Sequence, residues 1–353
     1  MKITIIGAGN GGQAMAGHFS MLGHHISLFD RDSNKLASIA DKGGILLKEA
    51  INGFGEIYSF ANNYKEAIQN AELILITTTA DAHLGVAKSI APFLVDGQAI
   101  ILSPGRTLGA LEFSNVIRKT TTKRIYVAEA QSLIYACRAE NHGEVRVIGV
   151  KDKVLFSAFP SEDTDFVIEK INSVYNCFTK ARNTLVNGLE NIGAILHPAV
   201  VLFNAAAIER GNMFYFYNDM TPAIANIIED IDKERLSIGN AFGIELKSVP
   251  EWVSFAYKNI EGNSFLEKMR NNPAYYKITA PNTLHSRLLL EDIPTGILPM
   301  VELAKIADVS VPLLNSILIL SQKLLNIDFM KKGRTLKNLG IGNLTSNQLE
   351  ELF

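Results

Sequence analysis

Cysteine is scarce in this chain. Only Cys137 and Cys177 occur in 353 residues, without Cys-x-x-Cys spacing and without a Cys/His cluster around either. That scarcity excludes a disulfide framework and a thiolate zinc centre, no metal is expected, and both residues are expected to be reduced and buried. A charge excess of one sign is also lacking: 34 Lys and Arg oppose 36 Asp and Glu, for a formal net charge of −2. Such balance gives no electrostatic footprint for nucleic acid or an anionic membrane, so small molecules are the expected partners. No run of eighteen uninterrupted apolar residues occurs, and no basic N-terminal region leads into an apolar stretch with a cleavage site. The chain therefore reads as neither membrane-spanning nor secreted, and a cytoplasmic location is expected.

What the chain does carry is apolar material, 47% of its residues, enough for large cores. Single cores stop growing at about 250–300 residues, so this length predicts two domains. In the first half, apolar runs at residues 3–6, 26–29, 73–77, 99–102 and 124–128 alternate with helix-like stretches such as 33–41 and 82–93. Runs 145–150, 154–159 and 178–186 read as later strands, the first two joined by a turn at 151–153. Such alternation predicts a parallel sheet covered on both faces. From residue 187 onward, apolar residues recur at three- and four-residue spacing, in ENIGAILHPAVVLFNAAAIE, PAIANIIEDIDKERLSIGNAF, TGILPMVELAKIA and VPLLNSILILSQKLL. Residues 261–285, rich in Asn and Pro, are expected as loop with short helices. Glu229, Asp230, Asp232 and Glu234 read as a solvated helix face. The expected fold is α/β: an N-terminal doubly wound parallel sheet over residues 1–186, then an all-α domain over 187–353. The apolar helices fit an internal core and a homodimer interface alike.

The first apolar run leads directly into Gly7-x-Gly9-x-x-Gly12 and a helical pattern, and the second ends on Asp30. In a dinucleotide site the first glycine permits the tight turn, the second admits the pyrophosphate, and the third lets helix and strand pack closely. The helix N-terminus meanwhile presents N–H donors to the phosphates. A bare glycine turn would explain the glycines but not an acidic residue at about the 20-residue distance where a ribose is gripped. The pattern is that of a Rossmann domain, with Gly7, Gly9, Asn10 and Gly12 cradling the cofactor. Asp30 on the ribose hydroxyls favours NAD. Arg31 beside it fits adenine stacking or a 2′-phosphate, which keeps NADP as the alternative. Pro104 and Gly105, after the run 99–102, are expected to turn the backbone toward the nicotinamide.

A hydride-transferring domain still needs an acid or base, and the helical half offers His197, Arg287 and Asp292. On spacing alone His197, in GAILHPAV, reads equally as a core histidine. Arg287 and Asp292, in HSRLLLEDIPTG, read equally as a surface salt bridge near a helix end that Pro294 terminates.

Taken with GAGNGG, the segments LSPGRTLGALEF, AEAQSLIYACR, ILHPAVVLFNAA, NNPAYYKITAPNTLHSRLLLEDIPTGILP and GRTLKNLGIGNLT make the chain resemble the opine dehydrogenase family over nearly its whole length. That family contains the octopine and nopaline dehydrogenases. The resemblance implies reductive condensation of an α-keto acid with the amino group of an amino acid, NAD(P)H reducing the imine. It assigns proton transfer to His197, the partner carboxylate to Asp292 and the substrate-carboxylate grip to Arg287. Imidazole titrates nearest neutrality, a carboxylate fixes its tautomer, and a planar guanidinium grips two oxygens at once. Glu129 and Arg138 match polar positions of the family and read equally as a salt bridge within the domain. His83 reads as a helix cap or a cleft residue, and Phe214 to Tyr217 with Tyr275 and Tyr276 as cleft lining or core.

Two further readings share the domain pattern. One is a keto-acid reductase of the ketopantoate reductase or glycerol-3-phosphate dehydrogenase kind, although those families use a lysine where this chain has a histidine. The other is a dinucleotide sensor without turnover, in which His197, Arg287 and Asp292 need not converge. No acidic pocket for a guanidinium stands out, so the amino donor is open between arginine and an apolar amino acid, and the keto acid between pyruvate and something larger.

Overall fold

The apolar runs of the first half become strands in the computed structural model, which describes residues 1–258 and 260–353. The chain divides into two units, Met1–Gly105 with Gly109–Thr184, and Arg106–Leu108 with Leu185–Phe353. The second unit thus begins at Leu185 rather than residue 187. It also takes in a segment, Arg106–Leu108, that the sequence pattern leaves inside the first. Hydrogen bonds hold that segment there: Thr107 donates its N–H to the Thr295 carbonyl (3.0 Å) and its hydroxyl to the Gly188 carbonyl (2.8 Å).

The strands are β1 (Lys2–Ile6), β2 (His25–Phe29), β3 (Gly44–Glu49), β4 (Gly53–Glu56), β5 (Ser59–Phe60) and β6 (Leu73–Ile76), then β7 (Ala99–Leu102), β8 (Tyr126–Ala130), β9 (Tyr135–Asn141), β10 (Glu144–Val150), β11 (Val154–Ala158) and β12 (Phe178–Lys180). Eight of them form one sheet in the order β12-β11-β8-β7-β6-β1-β2-β5. All neighbours run parallel except β11 against β8. The central strands are buried along their length, as expected where helices cover both faces. Strand order reverses at β1, between β2 and β6, which puts the ligand crevice beyond the carboxyl ends of β1 and β6.

Several sequence expectations change here. The run 178–186 is a strand only over Phe178–Lys180, because the helix-starting pair Asn183-Thr184 opens a helix at Thr184–Leu189. Runs 145–150 and 154–159 do not form a hairpin. β10 belongs to a second sheet, β4-β3-β10-β9, while β11 belongs to the large one. The small sheet escaped the apolar pattern because glycines and charges interrupt it, as in GILLKEAINGFGE. The glycines have a packing reason. A Cβ at Gly55 would lie 2.1 Å from the Gly17 carbonyl oxygen, so β4 meets the helix Asn10–Met21 backbone to backbone. Cys177 is buried, its thiol pushed up to about 12 by that burial, whereas Cys137 is only half-buried because β9 shows one face to solvent.

The second unit is helical, with Ile192–Phe203, Pro222–Ala241, Leu298–Ile306 and Pro312–Leu325 supplying much of its core. The stretch Thr184–Phe203 is long and apolar enough to cross a membrane by composition, but 78% of it is buried. The acidic stretch on Pro222–Ala241 is not wholly a solvated face. Asp232 is buried against Arg235 (2.8 Å from Oδ1 to Nε), and Glu234 accepts from the N–H groups of Leu313 and Leu314 (2.8 and 2.9 Å), so it caps the helix Pro312–Leu325. Nor does Pro294 end the helical backbone. It sits in the first turn of a π-helical segment, Ile293–Ile297, where its missing N–H costs little, and Leu298–Ile306 follows directly. Residues 261–285 hold the short helix Phe265–Asn271 and a single 3-10 turn at Pro273–Tyr275.

Candidate functional site

In the first unit the glycine loop closes β1 onto the helix Asn10–Met21. Gly7 has φ +108°, and a Cβ at Gly12 would lie 1.8 Å from the Gly7 carbonyl oxygen, so only glycine permits this approach. Gly9 is the extended N-cap, has no atom within 4 Å of where a Cβ would be, and no side chain caps the helix there. The first turn is therefore open to an anion. Asp30 ends β2 beside the loop. It accepts from the Ala8 N–H (2.7 Å) and the Asp32 N–H (2.9 Å) and pairs with Lys35 (3.1 Å). Burial pushes its carboxyl up, but those donors outweigh it and hold it below the usual carboxylate range. A cleft of about 300 Å³ lies beside it, lined by Phe29, Asp30, Arg31, Ser33 and Asn62 among others, suited to the adenosine end of a dinucleotide. Arg31 is exposed. The side chain of Asn10 points elsewhere than a cofactor: its Oδ1 accepts from the Ala139 N–H (3.0 Å) and ties the helix to β9. Pro104 and Gly105 follow β7, and Gly105 donates its N–H to the Ala130 carbonyl (3.0 Å).

In the second unit His197 is carried by the helix Ile192–Phe203, and its Nδ1 lies 2.7 Å from Oδ2 of Asp292. Asp292 is wholly buried between the short helix Arg287–Leu290 and the π-helical segment. Burial pushes its carboxyl up, yet Arg106 first and His197 next outweigh that and hold it below the ordinary value. The bond to Nδ1 leaves Nε2 of His197 as the working nitrogen. The Tyr217 hydroxyl lies 3.4 Å from it, and burial pushes that phenol up, so it keeps its proton. Arg287 does not bond to Asp292. Its Nη1 is 3.3 Å from Oε2 of Glu291, one helical turn on, and 59% of its side chain remains exposed.

Two participants were missed. Arg106 is buried, with Nε 3.1 Å from Oε1 of Glu291 and Nη2 3.4 Å from Oδ1 of Asp292. Glu291 bridges Arg106 and Arg287. Both lie in the motifs SPGRTLG and LEDIPTG, about 185 residues apart, and nothing in either stretch signals that an arginine and a glutamate meet beside Asp292. Among the aromatics, Phe216 packs edge-on to His197 (5.9 Å) and Tyr217 stacks on Tyr275 (4.2 Å), whereas Tyr276 is exposed. Glu129 is buried and accepts from the Ala110 N–H (2.8 Å) at the start of the helix Gly109–Thr120; Arg138 is exposed on β9. His83 is buried, edge-on to Phe113 (6.4 Å). Among the described residues no group of three or more His, Cys, Asp or Glu is placed to hold a metal ion.

Residues 180–325 match the family described as NAD/NADP octopine/nopaline dehydrogenase, alpha-helical domain, and residues 2–103 match NADP oxidoreductase coenzyme F420-dependent. An opine dehydrogenase of Arthrobacter sp. (strain 1C) is 34% identical over 345 residues, covering 97% of this chain and 96% of that protein. A solved structure of octopine dehydrogenase with NADH and L-arginine superposes with a TM-score of 0.80 at 18% identity, over 99% of this chain and 97% of that one. Yersinopine dehydrogenase with NADP+ bound superposes with a TM-score of 0.72 at 15% identity, over 100% and 98%.

Proposed function

This chain belongs to the opine dehydrogenase family, and from that premise we propose that it joins a small α-keto acid to an apolar amino acid, with His197 as proton donor. It is an NAD(P)-dependent oxidoreductase of the opine type. Gly7, Gly9 and Gly12 with the helix behind them would hold the pyrophosphate, and Asp30 the ribose, which favours NADH over NADPH. When bound, the dinucleotide supplies a hydride to the imine carbon.

The protein's own residues do the rest. The open face of Arg287 takes the keto-acid carboxylate through two parallel hydrogen bonds. Arg106 and Arg287 balance Glu291 and Asp292, so a protonated His197 leaves one net positive charge to meet that anion. The amine nitrogen bonds to the carbonyl carbon and gives up one proton to the carbonyl oxygen; the Nε2 proton of His197 supplies the second as the C–O bond breaks, so the oxygen leaves as water and the C=N carbon remains to accept the hydride. Asp292 keeps the ring oriented before and after that transfer. The observation that carries this reading is the 2.7 Å contact between His197 Nδ1 and Asp292 Oδ2, which frees Nε2 for substrate.

The choice of amino donor follows from what is already taken. Both carboxylates of the cluster are engaged by Arg106, Arg287 and His197, while Phe216 and Tyr217 lie beside the imidazole and Tyr275 stacks on Tyr217. An apolar side chain suits that lining better than a guanidinium does. The test is NADH oxidation with pyruvate and an apolar amino acid, together and singly. Oxidation is expected only with both, to a product whose mass is their sum less one oxygen atom, and faster than with arginine or with NADPH. Equal oxidation with the keto acid alone would establish a simple keto-acid reductase instead.

A further inference from the structure

Arg106 offsets the charge of the cluster carboxylates and carries a buried guanidinium to which no contact with substrate has been assigned. Its three nitrogens are each engaged: Nε with Glu291 Oε1 (3.1 Å), Nη1 with Asn191 Oδ1 (3.4 Å) and Nη2 beside Asp292 Oδ1 (3.4 Å). The whole guanidinium is buried among these partners. Asp292 is thereby hydrogen-bonded to His197 through Oδ2, while the Arg106 guanidinium faces its Oδ1 as an ion-pair partner. On the other side Glu291 shares its second oxygen with Arg287. The result is a continuous line of alternating charge, Arg287, Glu291, Arg106, Asp292, His197.

The backbone is built to hold Arg106 there. Arg106 and Leu108 both adopt φ +62°, a left-handed conformation rare for residues with side chains, which persists where the surroundings impose it. Thr107 between them is pinned by the Thr295 and Gly188 carbonyls, and its own carbonyl accepts from Nη1 of the buried Arg334 (3.0 Å). Arg334 belongs to the closing GRTLKN segment, whose part in the fold is otherwise unexplained. Its N–H also reaches the Pro294 carbonyl (2.9 Å), so one residue fastens Arg106's segment and the π-helical turn behind Asp292.

We propose that Arg106 is a positioning residue for the reaction, holding Asp292 ionised and aimed at His197 and, through Glu291, bracing Arg287. The inference rests on the reading of His197 and Asp292 as the proton-transferring pair. Its pH signature follows from the charges facing Asp292: Arg106 from its loop, His197 from its helix, and Arg287 and Glu291 from the short helix, with the neutral Tyr217 beyond the imidazole. Burial alone would push the Asp292 carboxyl up, and Arg106 is the foremost group bringing it down. Without Arg106 the carboxylate is lost at higher pH, so the acidic limb of the activity profile moves up.

The experiment is a pH profile of kcat/KM for wild type, Arg106→Met, Arg106→Lys and Glu291→Gln, with thermal melting to confirm folding. Arg106→Met is expected to lose about 10²-fold in kcat, the scale of a misplaced reacting group, with NADH affinity unchanged and the acidic limb raised by about one unit or more. Arg106→Lys restores the limb but not the rate, because it keeps the charge and loses the fork. Glu291→Gln removes an anion instead, so the limb moves down and KM for the keto acid rises as Arg287 loses its brace. That opposite shift decides the matter if Arg106→Met does not fold. An unmoved limb in a folded Arg106→Met with near wild-type kcat, or in Glu291→Gln, overturns the proposal. His197→Ala in the same assay separates the two levels: full activity there would remove the proton-transfer reading itself, while an inactive His197→Ala beside a normal Arg106→Met removes only this inference.

Discussion

His197→Ala is expected to lower kcat for the two-substrate reaction by about 10²–10⁴-fold, the contribution of a positioned general acid, while NADH binding stays as in wild type. The imidazole lies in the second unit and its Nδ1 is committed to Asp292, so its removal touches no part of the glycine loop. Asp292→Asn should fall by a similar factor for another reason. The amide keeps the shape of the carboxylate but can present an N–H to Nδ1, which turns the acceptor nitrogen the wrong way. Steady-state kinetics with a parallel NADH fluorescence titration separates the two quantities. Unchanged turnover in His197→Ala would show that the proton comes from elsewhere, and Tyr217, 3.4 Å from Nε2, would become the first residue to examine.

Gly12→Ala is expected to fail at the opposite end of the reaction. The added methyl would fall 1.8 Å from the Gly7 carbonyl oxygen and 2.6 Å from Thr77 Oγ1, which itself donates to that carbonyl (2.7 Å). No side-chain rotation relieves a clash with backbone, so the loop must open. Overpacking of this kind costs about 1–3 kcal/mol or more, and at about 1.4 kcal/mol per factor of ten NADH affinity should drop by about fivefold to a hundredfold. The arrangement of His197 and Asp292, in the other unit, is left alone. Titration of NADH fluorescence measures this directly, and wild-type affinity in the variant would mean that the loop tolerates a shape other than the one described.

How much of this was legible beforehand differs by element. The parallel strands were, because β1, β2, β6 and β7 are short apolar runs with glycine or polar ends, and the period of burial matches the period of the sequence. The small sheet was not, since Gly55 serves backbone contact, Gly53 takes a positive φ, and Lys48, Glu49 and Glu56 face outward, which dilutes the apolar alternation. His197 and Asp292 were singled out together, although 95 residues separate them, through a family resemblance and not through spacing. Arg106 was beyond reach for a physical reason. It sits next to Gly105 of the Rossmann unit in sequence but packs with the helical unit, and nothing in a linear pattern shows that a three-residue segment changes sides. Arg287 illustrates the same limit, because its carboxylate partner is Glu291 at i,i+4 and not Asp292 at i,i+5.

If His197, Asp292 and Arg287 act on the bond being reduced, a crystal structure of the complex with NADH and the secondary-amine product should show the product nitrogen within hydrogen-bond distance of His197 Nε2, one carboxylate held by both terminal nitrogens of Arg287, and Asp292 still on Nδ1. A product bound with its nitrogen away from the imidazole, or with its carboxylates on other cations, would contradict that role.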